Sequence, residues 1–247
     1  MNIGILGLGE VGQAIKKLCA QKHRVFCRDL KFDEIKRQKI DFLHVCIPYS
    51  QDFEKIVTKT IKELKPQLTI IDSTVAPGTT QNLYKKTKSL LAHCPILGKH
   101  PHLYRYQKIF QKPIGAINQK AYALTKKHFQ ELGVKTARFD SPFESELAKL
   151  LETTYYSFNI VFEKWVHEIC RQKKANFHQV YTTFNQIYNQ GYKKTLPNVI
   201  RPILKHQPGP IGGHCLIPNV KILRSWLNKD GFLTFILQQN ERAKGES

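Results

Sequence analysis

The first twelve residues, MNIGILGLGEVG, restrict the fold more than any other stretch of the chain. An apolar run leads directly into Gly7-Leu8-Gly9-Glu10-Val11-Gly12, a G-x-G-x-x-G sequence. The segment that follows, EVGQAIKKLCAQK, carries apolar residues at helical spacing. Strand, glycine turn and helix in that order open a dinucleotide-binding βαβ unit. Gly7 permits the tight turn, Gly9 lets the backbone approach a pyrophosphate, and Gly12 lets the helix pack closely on the sheet. The first N–H groups of the helix, at Glu10 and Val11, turn the positive end of the helix dipole toward the phosphates. RVFCRD then supplies a second strand ending in Asp29, 17 residues beyond Gly12, close to the spacing at which an acid accepts hydrogen bonds from ribose hydroxyls. Asp29 favours NAD over NADP, because a 2′-phosphate would meet its negative charge. Arg28 and Lys31 beside it pull the other way. A glycine turn that binds nothing is the bland alternative; the flanking strand, helix and acid argue against it.

The alternation continues. DFLHVCIP reads as a strand, SQDFEKIVTKTIKEL as a helix, LTIIDS as a strand and TTQNLYKKTKSLLA as a helix. PILGKHP, KPIGAIN and VKTARFD are further strand candidates, with the helix QKAYALTKKHFQELG before the last. Strand and helix in alternation predict an α/β fold, a Rossmann-type doubly wound parallel sheet covered on both faces. After DSP the pattern changes. FESELAKLLETTYYSFNIVFEKWVHEICRQKK contains no Gly or Pro and reads as one long helix after Phe143. A helix of that length crosses between domains or packs on a partner chain. NFHQVYTTFNQIYNQG and FLTFILQQNERAK are helical, and between them lie PGPIGGHCLIPN, too interrupted for a helix or central strand, and then VKILRSWLNKD. The expected organisation is a Rossmann domain over residues 1–140 and a helical central or dimerisation domain over 141–247.

Ligands of an open α/β sheet bind at the carboxyl ends of its strands. Two stretches fall there: CIPYS, with Pro48, and DSTVAPGTT, with Ser73 and Thr74. Ser73 and Thr74 are candidates to hydrogen-bond a nicotinamide ribose or the substrate, or alternatively to cap the next helix. The six cysteines form no C-x-x-C pair, so the spacing indicates neither a metal site nor a disulfide framework. Four sit in apolar runs and read as buried; Cys215, behind Gly212, Gly213 and His214, does not. The formal net charge of +20 suggests an anionic partner or a solvated basic surface. The lysines and arginines are dispersed and no nucleic-acid motif accompanies them, so nucleic acid is not expected as a partner. No apolar run is long enough to span a membrane, and the N-terminus does not read as a signal peptide, which predicts a cytoplasmic protein.

STVAPGTT, SELAKLLETTY with the FNI that follows, and PGPIGGHCL occur in this order behind the glycine fingerprint. In this the chain resembles the UDP-glucose/GDP-mannose dehydrogenases, particularly the UDP-N-acetylmannosamine dehydrogenase branch. The resemblance implies oxidation of a sugar C6 alcohol to a carboxylate with two NAD⁺, and dimerisation through the long helix. It implies that Cys215 is a nucleophile that adds to the intermediate aldehyde, giving a thiohemiacetal and then a hydrolysable thioester. Several positions depart from the family pattern. Asn219 stands where the family has an aspartate, and His102 stands in KHPHLY where it has a glutamate. Asn159 falls where many UDP-glucose dehydrogenases have a catalytic lysine, although the acetylmannosamine branch also has an asparagine there, and Lys164 falls where the family has an asparagine; Lys164 is a candidate oxyanion cation or a solvated lysine. No counterpart of the C-terminal UDP-binding domain follows Cys215. Two functions therefore stand side by side. One is an NAD-dependent dehydrogenase acting on a small anionic substrate such as a nucleotide sugar, with Cys215 covalent. The other is a truncated, catalytically impaired NAD-binding homologue with a regulatory or scaffold role.

Overall fold

In β1 (Asn2–Leu6), Ile3 and Ile5 point into one hydrophobic cluster and Leu6 into another, the alternation of a strand buried on both faces. A computed structural model of the chain describes residues 1–246, and it falls into two compact units, the first Met1–Lys149 and the second from Leu150 on. In the first unit β1 is followed by α1 (Glu10–Cys19), β2 (Arg24–Asp29), a two-residue β3 (Phe32–Asp33) and β4 (Phe42–Val45). Next come α2 (Phe53–Leu64), β5 (Leu68–Ile71), α3 (Thr79–Thr87) and β6 (Leu91–His93). The short α4 (Leu103–Gln107), β7 (Lys112–Ala116), α5 (Gln119–Glu131) and β8 (Thr136–Phe139) complete the unit, and α6 (Pro142–Gln172) begins within it.

The eight strands form one sheet in the order β3-β2-β1-β4-β5-β6-β7-β8. β1 pairs in parallel with β2 on one side and with β4 on the other, so the chain reverses its direction of winding at β1. That reversal opens a crevice at the carboxyl ends of β1 and β4, where Leu6 lies opposite Val45. α1 and α5 cover one face with Ile15, Leu18, Ala121 and Phe129, and α2 and α3 cover the other with Phe53, Val57, Ile61 and Leu83. Complete burial of each of the Ile, Leu, Val and Phe side chains contributes about 1.5–3 kcal/mol. The fold is thus α/β and doubly wound.

Three local expectations are corrected. The helix read over TTQNLYKKTKSLLA stops at Thr87, because Lys88 takes a left-handed conformation (φ 55°), and its last apolar residues become β6. Leu91, Ala92 and His93 are all buried beside β5, and PILGKHP, expected as a strand, is irregular. The sheet is not wholly parallel: β3 runs antiparallel to β2, and β7 antiparallel to β6.

The second unit is helical. It holds α6 from Leu150 onward, a π-helical turn (His178–Thr183), α7 (Phe184–Tyr192), α8 (Leu216–Trp226) and α9 (Gly231–Arg242). Leu150, Val161, Cys170, Tyr181, Ile211, Val220, Leu223, Leu233, Ile236 and Ala243 are buried apolar residues of this unit. Asp230 starts α9 by accepting the backbone N–H of Leu233 at 3.0 Å, a side-chain cap. The loop around Cys215 is shorter than PGPIGGHCLIPN suggests, since Leu216–Asn219 already belong to α8. Pro218 is tolerated there because N–H groups of a first helical turn have no partner within the helix.

Candidate active site

Gly7 has φ 91°, and a Cβ on it would lie 2.8 Å from Ile47 Cγ2 and 2.9 Å from the Cys46 carbonyl carbon. A Cβ on Gly12 would lie 2.0 Å from the Gly7 carbonyl oxygen, so α1 meets the turn with no room for a side chain. At Gly9 the surroundings differ: a Cβ would meet nothing within 4 Å. Gly9 is also the N-cap of α1 and supplies no side-chain acceptor, so the first-turn donors at Glu10 and Val11 have no side-chain cap. Bare backbone, open space and a helix N-terminus together suit an anionic group. Asp29 closes the arrangement. Its Oδ2 accepts the Leu8 N–H at 2.5 Å and its Oδ1 the Leu30 N–H at 2.7 Å, which fixes the carboxylate beside the glycine turn. Arg28 turns instead to Glu63, at 2.6 and 3.0 Å, and to Asp33 at 2.9 Å. Those partners raise the guanidinium pKa above its ordinary value, the Glu63 hydrogen bonds foremost. Glu10 is ion-paired with His100.

The loops after β4 and β5 border the same crevice. Pro48 is exposed and Thr74 half-buried. Ser73 is buried, and its hydroxyl donates to the carbonyls of Ile47 (2.7 Å) and Val45 (3.2 Å), joining the two loops. Neither Ser73 nor Thr74 caps α3, which begins at Thr79; the cap comes from Glu146 of α6, 66 residues away. The Glu146 carboxylate accepts from the backbone N–H groups of Gly78 (2.6 Å) and Thr80 (2.8 Å) and from the Thr80 hydroxyl (2.6 Å). Burial pushes the Glu146 carboxyl up, to about 7, against those three hydrogen bonds. His93 ties the same region to Ser145 Oγ at 2.8 Å and to the Ser73 carbonyl at 3.2 Å. Burial lowers its pKa to about 3 and keeps the ring neutral. Sequence reading singled out neither Glu146 nor His93 as a site residue, although Glu146 lies inside SELAK. His102 is exposed just before α4 and makes no side-chain cap there.

In the second unit Cys215 is the residue from which α8 starts. A thiolate at a helix N-terminus is stabilised by the helix dipole and its first N–H groups. Cys215 is half-buried, whereas the other five cysteines are buried. Gly212 and Gly213 before it have open space where side chains would stand, and Gly213 has φ 83°. The loop is pinned upstream. The Ile211 N–H donates to Asn240 Oδ1 at 2.7 Å, Lys164 Nζ donates to the Gln207 carbonyl, and His206 Nδ1 meets Glu163 Oε1 at 2.8 Å. Lys164 thus holds the approach to the cysteine loop. Asn159 donates to the Tyr155 carbonyl of its own helix at 2.7 Å. Asn219, in the first turns of α8, is buried and its Nδ2 donates to Thr153 Oγ1 at 3.3 Å.

Residues 143–243 match the central domain of the UDP-glucose/GDP-mannose dehydrogenase family. Among curated proteins, the UDP-N-acetyl-D-mannosamine dehydrogenase of Methanocaldococcus jannaschii is 26% identical over 200 residues, 74% of this chain and 44% of the relative. That of Pyrococcus horikoshii is 23% identical over 231 residues, 86% of this chain and 52% of the relative. The chain spans about half the length of these relatives. Among solved structures, a UDP-D-ManNAc dehydrogenase from Pyrococcus horikoshii superposes with a TM-score of 0.81 at 22% identity, over 98% of this chain and 69% of that one. The long helix and the cysteine loop therefore lie in the segment that matches the UDP-glucose/GDP-mannose dehydrogenase central domain, and these relatives are dehydrogenases of UDP-N-acetyl-D-mannosamine.

Proposed function

We propose that the chain is an NAD-dependent oxidoreductase that acts on an alcohol or aldehyde of a nucleotide sugar or related anionic substrate, with Cys215 as covalent nucleophile. The observation that carries this reading is the place of Cys215, at the start of α8 behind the bare backbone of Gly212 and Gly213, inside the segment that matches the family. The glycine turn at Gly7, Gly9 and Gly12 would hold the cofactor pyrophosphate, and Asp29 the adenosine ribose. Arg28, neutralised by Glu63 and Asp33, is committed elsewhere than to a 2′-phosphate, which favours NAD. Bound NAD⁺ supplies a hydride acceptor. The Cys215 thiolate would add to the aldehyde carbon, hydride loss from that carbon would leave a thioester on sulfur, and water would release the carboxylate and restore the thiol.

A second reading rests on Asn219. Asn cannot act as a base, and this one is buried and bonded to Thr153. On that reading the chain binds NAD without completing the oxidation and serves as a regulatory or scaffold homologue. Calorimetric titration with NAD⁺, followed by NADH formation with UDP-N-acetylmannosamine and UDP-glucose, separates the two. The enzyme reading expects both binding and turnover, and a Cys215→Ser variant that keeps binding while losing aldehyde oxidation. Binding with no turnover on any nucleotide sugar selects the second reading, and absence of binding removes both.

We also propose that a second copy of the chain covers α6. Leu151, Tyr155, Phe162, Trp165 and Ile169 are exposed, and with half-buried Phe158 they fall at alternating four- and three-residue spacing, the seam of a paired helix.

A further inference from the structure

Within the first unit, away from the glycine turn and the Ser73 loop, three metal-binding atoms converge. Cys19 ends α1, His44 lies in β4 and His128 lies in the last turn of α5. All three are buried, at 0%, 0% and 1% exposure. Cys19 Sγ lies 3.9 Å from His44 Nε2 and 3.9 Å from His128 Nε2, and the two nitrogens lie 3.1 Å apart. A triangle with those sides has a centre about 2.1 Å from every corner, against about 2.0–2.1 Å for a metal–imidazole bond and about 2.3 Å for a metal–thiolate bond. The support behind the ligands is also in place. His44 Nδ1 is 2.7 Å from Asp72 Oδ2, and Asp72 Oδ1 accepts from Lys112 Nζ at 2.8 Å. A carboxylate behind a ligating imidazole fixes the ring so that its other nitrogen presents a lone pair. Phe42 and Phe129 pack against His128, the His23 ring stacks on it with centroids 5.6 Å apart, and Lys112 Nζ lies over the Phe129 ring.

We propose that Cys19, His44 and His128 bind a thiophilic d¹⁰ cation, and that the ion is Cu(I). Thiolate and imidazole select Cu(I) and Zn(II) among the available ions. Coordination number and charge then choose between them. Structural zinc takes four ligands, whereas three donors in one plane complete Cu(I). Asp72 and Lys112 offset one another, so Cu(I) with one thiolate leaves the interior neutral, whereas Zn(II) would leave a buried positive charge without a fourth ligand. On loading, the Cys19 S–H bond is replaced by a sulfur–copper bond and the thiol proton is released; copper enters and stays as Cu(I), so no electron is transferred. With all three ligands buried, the ion is taken up during folding and held as a structural element joining α1, β4 and α5.

The full chain is refolded from denaturant under anaerobic, reducing conditions with equimolar Cu(I), Zn(II) or neither, desalted, and its metal content measured by mass spectrometry. One copper per chain is expected, with a sulfur-to-copper charge-transfer absorption in the ultraviolet and a raised thermal midpoint. Cys19→Ser and His128→Gln should each reduce retained copper at least tenfold, while Cys27→Ser, at a buried cysteine outside the cluster, should retain it. Should either cluster variant fail to refold, X-ray absorption on the folded, copper-loaded wild type keeps the test open: one sulfur and two imidazole nitrogens should surround the copper, and a shell of sulfur alone would overturn the site. Zinc retained in preference to copper would overturn the monovalent assignment. Less than a tenth of an equivalent of either metal in refolded wild-type protein would overturn the site. None of these readouts depends on NAD binding or turnover.

Discussion

Glu146 of α6 accepts the backbone N–H of Thr80 at 2.8 Å and the Thr80 hydroxyl at 2.6 Å, and so caps α3 from 66 residues away. Burial raises its carboxyl to about 7, well above the ordinary glutamate range. The folded chain therefore binds the Glu146 proton more tightly than the unfolded chain does. Between pH of about 4.5 and about 7 the folded state carries more protons, and stability falls as pH rises through that window. The upper bound is on the order of 3 kcal/mol at about 1.4 kcal/mol per pH unit. Urea denaturation of wild type should show this loss between pH 5 and pH 7.5, and Glu146→Gln, which cannot ionise, should show a flatter profile. An unchanged slope in the variant would assign the pH dependence to other groups.

Gly9 and Gly12 should respond differently to the same added methyl. At Gly12 the new carbon would meet the Gly7 carbonyl oxygen at 2.0 Å, so Gly12→Ala must push α1 off the sheet, with an expected loss of about 1–3 kcal/mol. At Gly9 nothing lies within 4 Å, and φ is −65°, so Gly9→Ala should fold with a wild-type thermal midpoint. Its methyl would stand where the pyrophosphate approaches, and NAD⁺ affinity should fall at least tenfold, about 1.4 kcal/mol. Calorimetric titration beside thermal denaturation checks both halves. Normal affinity in Gly9→Ala would remove the assigned phosphate contact.

The exposed stripe on α6 gives a third test. Phe162 and Trp165 are 43% and 49% exposed at its middle. A charge there cannot be accommodated between two copies of the helix but costs little on a solvated surface. Phe162→Glu should convert a dimer into a monomer in light scattering at micromolar concentration, with secondary structure retained by circular dichroism. A wild-type protein that is already monomeric at that concentration would refute the seam.

The first unit was readable wherever structure follows from neighbouring residues. The Gly7–Gly12 pattern announced its own turn, and the strands β1, β2, β4 and β5 stood out because they are apolar and flanked by helical spacing. β6 was hidden because α3 stops just before Lys88, a residue with no breaker character, and the apolar residues beyond it continue the helical pattern. Glu146 and the Cys19, His44 and His128 cluster were invisible for another reason: their partners lie on separate elements, and only the winding of the sheet brings them together. In the second unit the cysteine loop was legible as a motif. That α8 begins at Leu216 was not, since Pro218 reads as a breaker until it is seen to occupy a first turn.

Asn219 invites the last prediction. Its Nδ2 donates to Thr153 Oγ1 at 3.3 Å, and that hydroxyl donates in turn to the Leu150 carbonyl at 3.0 Å. Thr153 therefore asks for a donor, which an ionised aspartate cannot be. Asn219→Asp would place a buried carboxylate against a hydroxyl oxygen whose proton is already directed at Leu150, and the fold should lose about 1–3 kcal/mol. The same change restores the acid that the family pattern carries after its nucleophile. If the missing base limits thioester hydrolysis, steady-state NADH formation from a nucleotide sugar should rise by about 10²-fold in the variant, the usual scale of a positioned general base. Thermal denaturation and NADH assays on the same preparation read the two effects separately. A destabilised variant with turnover no higher than wild type would show that Asn219 serves the packing of α8 on α6 and does not limit the chemistry.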